Sequence, residues 1–179
     1  AAAKVGGEVF FVCKLGKDVF GDKSLENFKR VGINTNYIVR DEKNPSGVAL
    51  IVVDENGENI IVVAPGSNSN LKKQDVKKAA GIIAKSSCVV LQLEIPIQTV
   101  EYSVKLADSL NIPVVLNPAP ARKIPDDILK KVKILTPNET ETEILTGIPM
   151  KNDRDCKKAS DLLRKKGVKV VIITLGKRG

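Results

Sequence analysis

The sequence predicts an α/β protein with a mainly parallel central sheet and a small, separate antiparallel β flap. Three observations carry this. From residue 75 onward, short runs rich in Val and Ile alternate with amphipathic helical patterns, as βαβ units do. Between residue 37 and Pro65-Gly66, strand patterns follow one another with no helix between them. Aromatic residues make up only 3% of the chain and Trp is absent, against 42% hydrophobic residues, so the core must be built from Val, Ile, Leu and Ala.

Residues 10–13 read as a short strand. Residues 21–30 read as a helix, with Leu25, Phe28 and Val31 on one face and Gly32 closing it. Strands follow at 37–39, 48–53 and 59–63. The last two are joined through Asp54-Glu55-Asn56-Gly57, and Asn-Gly is a strong hairpin signal because both residues tolerate positive φ. This antiparallel piece interrupts the alternation, so residues 33–68 are expected to form a separate flap and residues 1–32 and 69–179 the α/β core. Within the core, helices are expected at 75–85, 97–110, 126–131, 138–146 and 153–166. Pro96 is expected at the first helical position of the second, and Gly147 and Gly167 stop the last two. Strands are expected at 88–93, 114–116, 133–135 and 168–174, with helices on both faces of the sheet. The start at Ala1-Ala2-Ala3-Lys4 and the end straight after a strand read as the edges of a portion of a longer polypeptide.

A chain of 179 residues is long enough for one good core and short for two domains. The net charge is +8, with lysines spread over the predicted helices in pairs such as Lys72-Lys73 and Lys130-Lys131. They read as solvated faces rather than a nucleic-acid surface, which would pair a basic stripe with exposed aromatics. The positive field favours anionic substrates. No apolar run approaches a membrane span and no secretory signal is visible. Cys13, Cys88 and Cys156 are far apart, and there is neither a C-x-x-C motif nor any His. That argues against disulfides and zinc, removes Ser-His and Cys-His catalytic pairs, and leaves acid–base work to Asp, Glu, Lys or Tyr. A reducing, cytoplasmic setting is expected.

In open α/β sheets, ligands bind beyond the carboxyl ends of the strands. Four features fall there: Glu94, the run Asn117-Pro118-Ala119-Pro120-Ala121, the segment 136–141, and the segment 174–179. Asn138 and Glu141 have the spacing of a capping box. The same arrangement puts an amide and an acid at a helix mouth, where phosphate is favoured and where a carboxylate can position hydrated Mg²⁺. Each feature also has a plain reading: a helix cap, a solvated acid, a rigid Pro turn, a tight Gly turn. Neither a P-loop motif nor G-x-G-x-x-G is present.

Taken in order, Leu91-Gln92-Leu93-Glu94, Leu116-Asn117-Pro118-Ala119-Pro120-Ala121, the segment 136–141 and Ile173-Thr174-Leu175-Gly176 resemble the ribokinase group of phosphofructokinase-B-type carbohydrate kinases. Ser46-Gly47-Val48-Ala49 and Ala64-Pro65-Gly66-Ser67-Asn68 fit as well, and the resemblance covers essentially the whole chain. It implies a ribokinase-like three-layer fold and an ATP-dependent, Mg²⁺-requiring kinase that converts D-ribose to D-ribose 5-phosphate by in-line phosphoryl transfer. It implies Glu94 as a sugar ligand, Asn138 near the nucleotide phosphates, and Glu141 ordering the water shell of Mg²⁺. Thr174, Leu175, Gly176, Lys177, Arg178 and Gly179 would line the ATP site. Residues 33–68 would form a small β-sheet lid over the sugar, with an apolar face carrying Ala49 and Ile51, and would pair in a homodimer. The implied partners are a small-molecule sugar and ATP, without nucleic acid or membrane; K⁺, where used, would bind outside this portion. The family's N-terminal sugar-site Asp and its C-terminal Gly-Ala-Gly-Asp anion hole with the catalytic Asp do not occur in the chain. No catalytic residue is therefore assigned within it. The base is expected beyond Gly179, and the chain by itself is expected to transfer phosphate very poorly. Two other readings stay open: a kinase for another sugar or a nucleoside on the same scaffold, and a non-catalytic sugar- or nucleotide-binding module.

Overall fold

The computed structural model describes residues 1–55 and 59–179, so the expected Asn56-Gly57 turn lies outside the described residues. The chain divides into two compact units, residues 1–79 and residues 80–179.

The first unit opens with β1 (Val9–Phe10), β2 (Cys13–Gly16), α1 (Val19–Arg30), β3 (Ile33–Asn34) and β4 (Ile38–Asp41). β1 pairs with β3 and β2 with β4, both in parallel. The strand expected at 37–39 therefore belongs to a β-α-β crossover through α1, not to an antiparallel group. Antiparallel pairing is confined to β5 (Val48–Val53) and β6 (Asn59–Ala64), in register from Val48↔Ala64 to Val53↔Asn59. The expected strand at 10–13 resolves into two short strands. α1 begins earlier than expected because Asp18 caps it, accepting a hydrogen bond from the Gly21 N–H at 2.7 Å. Leu25, Phe28 and Val31 are half-buried, and Phe28 meets Phe11 edge-on with ring centroids 5.1 Å apart. The expected helix at 75–85 is two pieces, α2 (Lys73–Lys78) and α3 (Ala80–Ile83), parted at the fully buried Ala79 where the two units meet in sequence.

Polar side chains hold the base of the β5–β6 ribbon. Asp18 accepts from the Ser46 N–H at 2.6 Å and from the Ser46 hydroxyl at 2.8 Å, besides capping α1. The Ser46 hydroxyl in turn accepts from the Gly16 N–H at 3.0 Å. A Cβ on Gly16 would stand 2.4 Å from the Ser46 nitrogen, so only glycine allows this approach. Asp41 is buried and accepts from the N–H groups of Lys43 and Asn44 and from the side-chain amides of Asn44 and Asn70.

The second unit contains α3, β7 (Val89–Leu91), α4 (Ile97–Ser109), β8 (Val114–Leu116), α5 (Asp126–Leu129), β9 (Ile134–Leu135), α6 (Glu139–Thr146), α7 (Asp153–Lys165) and β10 (Val170–Val171). Its four strands form one parallel sheet in the order β10-β9-β8-β7. The strands expected at 88–93 and 168–174 are shorter than their sequence patterns. Pro96 is the N-cap of α4, with ψ of 131°, rather than its first helical residue. When strand order follows chain order, right-handed crossovers place every connecting helix on the same face. Burial agrees. Leu91, Leu116, Leu135 and Val171 lie in one row, and this row packs against Val100 and Val104 of α4, Leu145 of α6 and Leu163 of α7. The opposite row is Val90, Val115, Ile134 and Val170, in which Val90 is 70% exposed. The connecting helices of this unit therefore cover one face of its sheet.

The two acids at the ribbon base make the first unit sensitive to acid. The Gly21 N–H, then the Ser46 N–H and hydroxyl, hold the Asp18 carboxyl below the usual carboxylate range. The Lys43 N–H, helped by Asn44 and Asn70 and opposed by burial, does the same for Asp41. A carboxyl whose folded pKa lies below its unfolded value contributes stability above the unfolded value, and loses it as pH falls through the folded one. Stability to urea should therefore be level at neutral pH and fall below about pH 4, where unfolded Asp titrates. Asp41→Asn should be less stable at pH 7 and lose less on acidification. Parallel pH profiles for the two proteins would remove Asp41 from this role.

Candidate functional site

Because β7 to β10 are parallel, their carboxyl ends open on one edge of the sheet. The β9 exit carries the most developed structure. Thr136 donates its N–H to Leu116 O at 2.9 Å, continuing the ladder past the strand. Asn138 then caps α6 as the sequence predicts. Its Oδ1 accepts from the Glu141 N–H at 2.8 Å, while Glu141 Oε2 accepts from the Asn138 N–H at 2.8 Å. The Asn138 side-chain amide also donates to Glu141 Oε1 at 3.1 Å. Glu141 is buried, so both of its oxygens are fixed at the helix mouth. The box satisfies two of the four N–H groups that a helix start leaves without helical partners. Those of Glu139 and Thr140 have no hydrogen-bond partner among the described residues.

The β10 exit is drawn to this mouth. Thr174 pairs in parallel with Asn138 and donates its N–H to Pro137 O at 2.9 Å. Gly176 takes φ of +58°, which suits glycine at the start of the turn Gly176–Arg178. Arg178 reaches back to Glu139 at 2.9 Å and to Asp153 at 3.6 Å. One guanidinium thus ties this segment to the first turns of both α6 and α7, a link that residue spacing could not reveal. Lys177 is exposed and adds positive charge beside the acids of the helix start.

The β8 exit is a turn. Asn117 Oδ1 accepts from the Ala119 N–H at 3.0 Å, and the Ala119–Pro120 peptide is cis. Leu93 donates its N–H to Ala119 O at 2.7 Å, which binds the β7 exit to this turn. Glu94 follows, exposed and without a hydrogen bond or ion pair among the described residues. The structure therefore brings Asn138, Glu141 and the segment 174–179 together and sets Glu94 apart. At roughly 4.8 Å per strand spacing, β7 lies about 10 Å from β9 and about 14 Å from β10. That span leaves room for a small molecule at Glu94 and a second, phosphate-bearing one at the α6 mouth.

Among the described residues, no group of three or more His, Cys, Asp or Glu side chains could hold a metal. The donors present suit Mg²⁺ of a different kind. Each Glu141 oxygen keeps a lone pair beyond its bond to Asn138, enough to orient water around a cation carried largely by phosphates. Cys13 is buried, and burial pushes its thiol up to about 12, so it is not a nucleophile. No helix among the described residues is long and apolar enough to cross a membrane.

The pattern of the pfkB family carbohydrate kinases matches residues 1–179. The ribokinase of Haemophilus influenzae is 40% identical over 179 residues, which are all of this chain and 58% of that protein. The deoxyribokinase of Salmonella typhi is 38% identical over 180 residues, covering all of this chain and 59% of that protein. The structure of Arabidopsis thaliana ribokinase complexed with ribose and ATP superposes with a TM-score of 0.87 at 29% identity, covering 99% of this chain and 58% of that one. The chain thus spans about three fifths of the length of the relatives it matches, and its fold is ribokinase-like. The residues that the sequence places at strand exits and the match along all 179 residues lead to one conclusion: this chain belongs to the pfkB family of carbohydrate kinases.

Proposed function

We propose that the full-length protein is an ATP-dependent ribokinase that moves the γ-phosphoryl group of ATP onto a hydroxyl of D-ribose, giving D-ribose 5-phosphate. The observation that carries the reading is the shared edge, with an unpartnered carboxylate at the β7 exit and a capped helix mouth joined to the segment 174–179 at the β9 and β10 exits. Relatives that are ribokinases, one of them solved with ribose and ATP, support it.

Glu94 accepts hydrogen bonds from sugar hydroxyls and orients the acceptor oxygen. The free N–H groups of Glu139 and Thr140, with the Asn138 amide, receive phosphate oxygens. Thr174, Leu175, Gly176, Lys177, Arg178 and Gly179 line the nucleotide. Mg²⁺, when bound with the nucleotide, neutralises phosphate charge, and Glu141 orders its water. Catalysis is then mostly positioning and electrostatics. Residues 33–68 serve as a lid, with the exposed apolar ribbon covering the sugar and pairing in a homodimer. The base that takes the sugar proton and any K⁺ site come from residues outside 1–179, so these residues alone transfer phosphate poorly. The protein works in the cytoplasm.

The similarity to a deoxyribokinase favours a second reading, with 2-deoxyribose as the acceptor. A site built to bond the 2-hydroxyl would reject the sugar that lacks it. ADP release by the full-length protein on ribose, 2-deoxyribose and fructose separates these readings and a non-catalytic module. Ribose should have the highest kcat/KM, and release with none of the sugars would mean a binding module. In the same assay, Glu94→Ala should cut kcat/KM for ribose about 10- to 100-fold and leave the KM for ATP unchanged, as expected for a charged hydrogen bond. An equal loss toward ATP would take Glu94 out of the sugar site.

Glu141→Gln tests the other end. It keeps one acceptor for the Asn138 N–H and removes the charge. The Mg²⁺ concentration for half-maximal rate should rise several-fold, by more than the sugar KM does. An unchanged Mg²⁺ dependence would leave Glu141 a helix cap only.

A further inference from the structure

We propose that Asp18 is a positioning residue for the β5–β6 ribbon: its carboxylate fixes the arm through which the chain enters β5. The kinetic half of this inference rests on the lid reading above; the structural half does not.

Among the described residues, the ribbon has little else to orient it. Every residue of β5 is exposed, and Ile60, Ile61, Val62 and Val63 of β6 are exposed as well. A two-stranded ribbon without a packed face takes its direction from the two arms that hold it. These arms, 42–47 and 65–71, are bound backbone to backbone. The Ser67 N–H donates to Pro45 O at 2.8 Å. A Cβ on Gly66, where φ is +49°, would stand 2.5 Å from Pro45 O and 2.8 Å from Ser46 O. Asp41, at the end of β4, binds Lys43 and Asn44 on one arm and Asn70 on the other. The Ser67 hydroxyl donates to Lys14 O at 2.9 Å, fastening the second arm to β2.

Asp18 fastens the first. A helix cap needs one side-chain oxygen and one N–H. Asp18 does more, because Oδ1 accepts from both the Gly21 N–H and the Ser46 hydroxyl, and Oδ2 accepts from the Ser46 N–H. Through Gly16, the Ser46 hydroxyl joins the same cluster to the end of β2. Three donors converge on one carboxylate, and two of them belong to the residue two places before β5. An Asn could still cap α1 through Oδ1, but its amide NH₂, standing where Oδ2 was, would confront the Ser46 N–H. Capping and clamping can therefore be separated by one substitution.

The test is Asp18→Asn in the full-length protein, with Asp22→Asn as the control. Asp22 stands in the same first turn, carries the same charge and pairs with Arg40 at 2.6 Å on an exposed side of α1. Hydrogen exchange of residues 42–53 and 60–71 should quicken about tenfold in Asp18→Asn and not in Asp22→Asn, while α1 keeps its protection. The ribose KM should rise about fivefold or more, with the KM for ATP unchanged and kcat within about twofold. Faster exchange in α1 alone, or none in the arms, would overturn the clamp. An unchanged ribose KM beside faster arm exchange would overturn the positioning role. If the unmodified protein phosphorylates no sugar, the kinase reading fails while the exchange result still decides the clamp. Should Asp18→Asn fail to fold, Ser46→Ala, which removes only the hydroxyl, should quicken exchange in the same arms; unchanged exchange there would refute the proposal.

Discussion

Parallel pairing of four strands laid side by side in chain order is the constraint from which the rest of the second unit follows. It sends every connecting helix to one face, gathers Leu116, Leu135, Val104 and Leu163 into one core, and opens every strand exit on the same edge. The candidate site is a by-product of that order. Glu94, the Asn117 turn, the α6 mouth and the segment 174–179 share an edge because their strands share a direction. The opposite sheet face keeps an apolar row, which is what one-sided winding leaves.

Within that edge, one interaction joins a structural role to the proposed chemical one. The reciprocal pairing of Asn138 and Glu141 caps α6, and it also holds a buried carboxylate in one orientation beside two N–H groups without helical partners. The capping role and the ligand role therefore do not compete. A rigid cap is a condition for a preorganised phosphate site, since a mouth that frays loses its aligned donors. The Arg178 tie to Glu139 and Asp153 is exposed and adds little to stability. Its use is geometric, holding the segment after β10 against the same mouth.

Much of this was legible in the sequence. Val- and Ile-rich runs marked all four strands of the second unit, and Asn138, Glu141 and the glycine after α6 announced that helix from both ends. Periodicity alone could not say that the helices share a face, because that depends on strand order, which is not local. It also could not say that the strand near residue 38 pairs in parallel with β2 rather than with the hairpin. Two apolar strands look alike whichever neighbour they choose, and the choice was made by α1 crossing between them. The ribbon-base cluster was invisible for a related reason. Asp18, Asp41, Ser46 and Asn70 are ordinary turn and cap residues taken singly, and only the crossing of two arms brings them together.

In the proposed function, the α6 mouth receives the nucleotide phosphates and the segment after β10 lines the nucleotide. Amide chemical shifts of the ¹⁵N-labelled full-length protein, titrated with ATP and Mg²⁺, test it directly. The largest changes should fall at Asn138, Glu139 and Thr140 and across 174–179, with small changes at the β5–β6 ribbon when sugar is absent. Changes centred elsewhere, such as the basic groove of Arg164, Lys165 and Lys169 at the end of α7, would contradict it.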